Sequence, residues 1–82
     1  MVKLPLGKLV KVNWLDHCGF EGWHDLESLL KITPVEVSSV GHIVVLAEDW
    51  IILAADVSED GMNGVSLIIT SCIQSCTELI TA

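Results

Sequence analysis

The chain has 82 residues, of which 51% are apolar, and a domain of that size buries only about 60 to 65% of the surface its unfolded chain exposes. Its net charge is −7, from eleven carboxylates against four basic residues, and all four are lysine. Proteins that hold polyanions neutralise phosphates with Lys and Arg, and an acidic chain without arginine argues against broad nucleic-acid binding.

A mean hydropathy of +0.61 is more than so small a globule hides within itself. The charge-free stretches around the centre of the chain run from Val37 to Ala47 and from Trp50 to Ala55, well short of the roughly 20 apolar residues a spanning helix needs. Surplus apolar surface is then most simply covered by copies of the same chain, so a homo-oligomer is expected. The start, MVKLPLGKLV, reads as too short and too interrupted for a signal peptide. With three cysteines, an odd number, this predicts reduced thiols in a cytoplasm.

Leu9 to Leu15, LVKVNWL, alternates Val10, Val12 and Trp14 with Lys11 and Asn13, the period of a half-buried strand. His17 to Trp23 contains two glycines and reads as a loop. Leu26, Leu29 and Leu30 then fall at helical spacing beside Asp25, Glu27 and Lys31, predicting one or two helical turns that end at Thr33-Pro34.

From Val35 the chain is extended, with Gly41 the expected bend or bulge of a curled strand. Glu48-Asp49 turns it, and Trp50 to Ala55 returns as a strand apolar on both sides. The two-sided pattern places one face in the core and the other against a neighbour, with Ile43, Val45, Ile51 and Leu53 as interface candidates. Asp56 to Gly64 reads as a polar loop, Val65 to Thr70 as a fourth strand, Ser71 to Ser75 as a tight turn, and Cys76 to Ile80 as a short fifth strand.

This order of elements is that of a mainly β fold, a small five-stranded SH3-like or Sm-like barrel with one short helix between strands 1 and 2, occupying residues 1–82 as a single domain. Val12, Trp14 and Asp16, then Gly22-Trp23 opening a short acidic helix, Pro34, Ser39-Val40-Gly41, a charged turn and Ile52-Leu53-Ala54 follow in turn. This pattern resembles a group of small uncharacterised phage proteins over nearly the whole chain. The resemblance implies a phage or prophage origin, host-cell cytoplasm as the setting, and a small barrel in rings or other oligomers; it brings no activity with it. Sm-like RNA binders use basic and polar loop residues, where this chain has Glu48-Asp49 and the acidic segment from Asp56 to Gly64.

Candidate chemistry is sparse. His17, Cys18, His24, Cys72 and Cys76 supply zinc-type donor atoms at poor spacing, and buried reduced cysteines are the expectation. Asp56, Ser58, Asp60 and Gly61 open a calcium-loop pattern, but its twelfth position is Leu67, not a bidentate Glu. No metal and no cofactor is expected. In Asp16-His17-Cys18 the imidazole and thiol are neighbours on an extended segment and point apart, so no activated nucleophile is expected there.

Trp14 is expected inside the barrel, whereas Trp23 and Trp50 each stand beside a turn. The first expectation for function is a non-enzymatic oligomeric interaction module, a phage accessory or host-directed protein whose acidic loops meet a basic protein partner. The alternative is a counter-defence protein sequestering a nucleotide-like ligand between subunits, with Trp23 and Trp50 stacking on the base and Lys8 and Lys11 meeting phosphates. An Sm-like RNA-binding ring is third, and an enzyme last.

Overall fold

The computed structural model describes residues 3–17 and 19–79. Five antiparallel strands form one sheet in the order β4-β3-β2-β1-β5: β1 Leu9–Asp16, β2 Val35–Leu46, β3 Trp50–Ser58, β4 Gly61–Ile69 and β5 Ile73–Glu78. A short helix, α1 (Leu26–Leu29), lies between β1 and β2, and a 3₁₀ turn, Thr70–Cys72, joins β4 to β5. The mainly β expectation holds. Among the described residues β4 and β5 do not pair with each other, so the sheet is not closed by hydrogen bonds into a barrel.

It is nonetheless curled. Val10, Val12, Ile43, Ile51, Leu53 and Ile68 form one buried cluster, and Trp14, Ile73 and Cys76 pack against it. In a flat sheet with strands about 4.8 Å apart, β4 and β5 would stand roughly 19 Å from each other. Ile68 of β4 and Ile73 of β5 reach one cluster only because the sheet bends round it. The 3₁₀ turn touches both β1 and β3, spanning the open side.

The bend lies in β2, which pairs with β1 from Val35 to His42 and with β3 from His42 to Leu46. Gly41 sits at this handover. A Cβ there would come within 2.8 Å of the Ala54 carbonyl oxygen, so the crossing of β2 and β3 needs a residue without one. The bulge expected at Gly41 falls instead near Val44: Ile43 pairs with Leu53 and Val45 with Ile52, leaving one extra residue in β2. This extra residue switches the phase of the strand, turning Val45 outward where plain alternation from Ile43 would have turned it in.

Two other expectations are corrected. Asp56 to Gly64 is not a loop: β3 continues to Ser58 and β4 begins at Gly61, leaving Glu59-Asp60 as a two-residue turn. Ser58 Oγ accepts from the Asp60 N–H at 3.2 Å and donates to the Gly61 carbonyl at 3.3 Å, and Gly61 (φ +133°) takes a conformation that other residues rarely adopt. The fifth strand starts at Ile73, three residues before the expected Cys76.

The helix forms as expected but buries nothing. Asp25 caps it, its Oδ1 accepting from the Ser28 N–H at 2.8 Å. The apolar stripe of Leu26, Leu29 and Leu30 is exposed, as is every residue of the connection from Gly19 to Pro34.

Two measurements follow from this geometry. Gly41→Ala should lower unfolding stability by about 1–3 kcal/mol in urea melts, the usual cost of overpacking, and the more bulky Gly41→Val should lower it further. The backbone and side-chain hydrogen bonds from Ser28 hold the Asp25 carboxyl below its ordinary 3.8. Its capping contribution is therefore complete above 3.8 and is lost as pH falls through the lower folded value, so a carboxyl NMR titration should place the Asp25 midpoint below 3.8, and Ser28→Pro, which removes that donor, should restore it.

Candidate functional site

The outward side of the sheet has two chemically different halves. Across β5, β1 and the first part of β2 it is mostly polar: Asn13 accepts from the Ser38 hydroxyl and donates through Nδ2 to Ser75 Oγ at 2.9 Å, joining three strands, with Lys11 further along between Thr77 and the exposed Val40. Across β2, β3 and β4 it is apolar. Val45, Ile52 and Leu67 stand in one cross-strand row and Trp50 and Ile69 in the next, since directly paired residues share a face. Val65, Leu67 and Ile69 belong to β4, which among the described residues has a neighbour on one side only. Leu67 is 54% and Val65 55% exposed.

The expected interface residues divide accordingly. Ile43, Ile51 and Leu53 are buried in the chain's own core and are not available to a neighbour; Val45 remains on the surface. The assignment went astray at the Val44 bulge and at the parity of β3, where Trp50 and Ile52 are the outward residues and Ile51 and Leu53 the inward ones. Of the outward apolar residues on β2, β3 and β4, Val45 and Trp50 were singled out from the sequence and Val65, Leu67 and Ile69 of β4 were not.

The four expected ligand residues lie on separate elements. Trp23 is fully exposed in the β1–α1 connection, Trp50 begins β3 in the apolar row, Lys8 precedes β1 and Lys11 points outward from its middle. Trp14 packs against the core as expected, its indole N–H donating to Ser39 Oγ at 3.0 Å.

Two clefts open on the surface. One, of about 460 Å³, lies between Leu6-Gly7, the β2 residues His42 to Val44, and Val57 and Met62 of the β3–β4 hairpin. The other, of about 430 Å³, lies where β1 ends, walled by Leu15, Phe20, Ile32 and Pro34 and containing Asp16, His17, Ser71 and Cys72. Neither is lined by Trp23, Trp50, Lys8 or Lys11.

In the second cleft Cys72 Sγ and His17 Nε2 are 3.4 Å apart, within hydrogen-bond reach for sulfur. These residues are 55 positions apart, and the sequence signal that joins them is the pairing of β1 with β5: Trp14 faces Ile73, so the residues just beyond, His17 and Cys72, meet at the same end. Cys18, considered with His17 as a nucleophile, lies outside the described residues. His24 is engaged with the Glu21 carbonyl at 2.9 Å and meets Phe20 edge-on. Among the described residues no group of three or more His, Cys, Asp or Glu side chains is placed to hold a metal.

Compared with known proteins, the chain matches no family model, no curated protein and no solved structure. Among the described residues no helix is long and apolar enough to cross a membrane.

Burial, and secondarily the Glu78 carboxylate, push the Cys76 thiol up from its ordinary value. Since the thiolate is the reactive form, Cys76 should be alkylated by iodoacetamide more slowly than a cysteine in an unfolded peptide, and Glu78→Gln should raise its rate by a smaller amount than unfolding does.

Proposed function

We propose that this protein is a non-enzymatic interaction module that assembles with copies of itself through the edge of β4 and the apolar outer face of β3 and β4. The observation that carries this reading is the continuous row from Val45 through Ile52 to Leu67, backed by Trp50 and Ile69, running to an unpaired strand edge. Exposed apolar surface ending at open backbone donors and acceptors is what strand-to-strand association uses.

Area supports a second copy as the occupant. The accessible surface is 6286 Å², about 1,500 Å² above the ~4,800 Å² usual for a folded monomer of 8.9 kDa. A standard interface takes about 800 Å² from each partner, so the excess, to which the exposed connection from Gly19 to Pro34 also contributes, leaves room for a face of that size.

The order β4-β3-β2-β1-β5, the helix after β1 and the 3₁₀ turn before β5 support an SH3-like or Sm-like arrangement of the strands. With the phage-like pattern of the sequence, this reading makes the protein a phage accessory or host-directed factor working in the host cytoplasm. The polar half of the sheet and the acidic β-turns stay outside the assembly, where they suit a basic or neutral protein partner and repel nucleic acid.

Native mass spectrometry and sedimentation at micromolar concentration should find an oligomer, and Leu67→Lys should shift it to monomer without unfolding it, because Leu67 is already half exposed. Association should tighten with added salt, as repulsion between subunits of charge −7 is screened. A wild-type protein that sediments as a monomer throughout this range contradicts the reading.

A further inference from the structure

The cleft at the end of β1 unites three features that the assembly reading does not use: a free thiol, an imidazole within hydrogen-bond reach of it, and a cavity of about 430 Å³ open to solvent. We propose that this cleft is a thiol-exchange site, in which Cys72 forms a mixed disulfide with small disulfides of positive or neutral charge and His17 carries the proton. The proposal is independent of the oligomeric state.

The step is balanced within the groups named. The proton on Cys72 Sγ passes to His17 Nε2, in the tautomer that leaves this nitrogen free to accept. The thiolate attacks one sulfur of the incoming disulfide along the S–S axis; the Cys72 S–S bond forms as the reagent's S–S bond breaks, and the departing thiolate takes the proton from the imidazolium. Cys72 is oxidised and half of the reagent is reduced to a thiol, with no further oxidant.

Disulfide exchange fits the cleft better than acyl transfer, which requires hydrogen-bond donors aimed at a developing oxyanion in addition to a base. Exchange at sulfur needs a thiolate, a proton carrier and an open approach. The walls given by Phe20, Ile32 and Pro34 provide apolar surface for the bound half of the reagent. Charge selects among reagents: Asp16 places a carboxylate in the same cleft and the chain as a whole carries −7, so anionic disulfides are repelled and cationic ones attracted.

Cys76 provides the internal contrast. It packs against the core beside Val12, on β5, where burial disfavours its thiolate. Thiol chemistry is therefore directed to the cysteine on the 3₁₀ turn and away from the one on the strand.

The test uses the full chain with Cys18→Ser and Cys76→Ser, leaving Cys72 as its one thiol, and follows adduct mass at pH 7 with cystamine and with glutathione disulfide as probes. Cystamine should add to Cys72 faster than the doubly anionic glutathione disulfide does, by a ratio that shrinks as salt rises. His17→Gln should slow the cystamine reaction at least tenfold, a modest share of what a positioned proton carrier contributes (~100-fold or more), while the melting curve stays unchanged because His17 is exposed. Equal rates with and without His17, or a folded-state rate no greater than that of the same chain in urea, overturns the proposal.

Discussion

The fold depends on one strand serving two partners. β2 gives its first half to β1 and its second half to β3, and the change of partner occurs where the Ala54 carbonyl occupies the space a side chain at position 41 would need. Glycine removes that obstacle. The resulting crossing turns a row of strands into a curled sheet, and only a curled sheet lets β-branched residues from both of its ends share one interior. Ile51, Ile43 and Ile68 lie in that interior, each 1% exposed or less.

Periodicity made β1, β2 and the first half of β3 legible, since Val10, Val12 and Trp14 alternate with polar neighbours and the Glu48-Asp49 turn is flanked by apolar runs. It failed where composition and geometry part company. Asp56 to Gly64 has the residues of a loop, yet Ser58 and Gly61 need only two residues between them to reverse the chain, and the surrounding segment pairs as strand. The interface assignment failed for a different reason. With apolar residues on both faces of β2 and β3, alternation alone does not say which set is inside, and the one-residue bulge near Val44 changes the phase partway along β2. The cleft pair was hidden by distance along the chain: His17 was weighed against Cys18, its neighbour in sequence, whereas the register of β1 with β5 brings it to Cys72.

The contrast between the two halves of the outer surface carries the functional argument. A sheet that met water on its whole outer side would repeat the pattern of β1, where Lys11 and Asn13 separate the buried valines and Asn13 ties together serines on both flanking strands. β3 and β4 depart from this pattern with Trp50, Ile52, Val65, Leu67 and Ile69 outward. A long apolar edge strand without an inward charge or a proline is an aggregation hazard unless something covers it. Coverage by another copy, as proposed, would remove the hazard without drawing on the residues of the buried cluster.

The open side of the sheet bears on both proposals at once. Since β4 and β5 do not pair, the 3₁₀ turn between them must bridge the gap, and it does so by touching β1 and β3. The Thr70 N–H donates to the Asp49 carbonyl at 2.8 Å, anchoring the turn to the hairpin that begins the apolar row. On its other side the same turn presents Cys72 to the end of β1 and His17. The proposed assembly along β4 and the proposed chemistry at Cys72 would thus involve the two flanks of one short element of three residues. A mixed disulfide at Cys72 would add bulk on one flank, while the other is held to the β2–β3 turn by the Thr70–Asp49 backbone hydrogen bond.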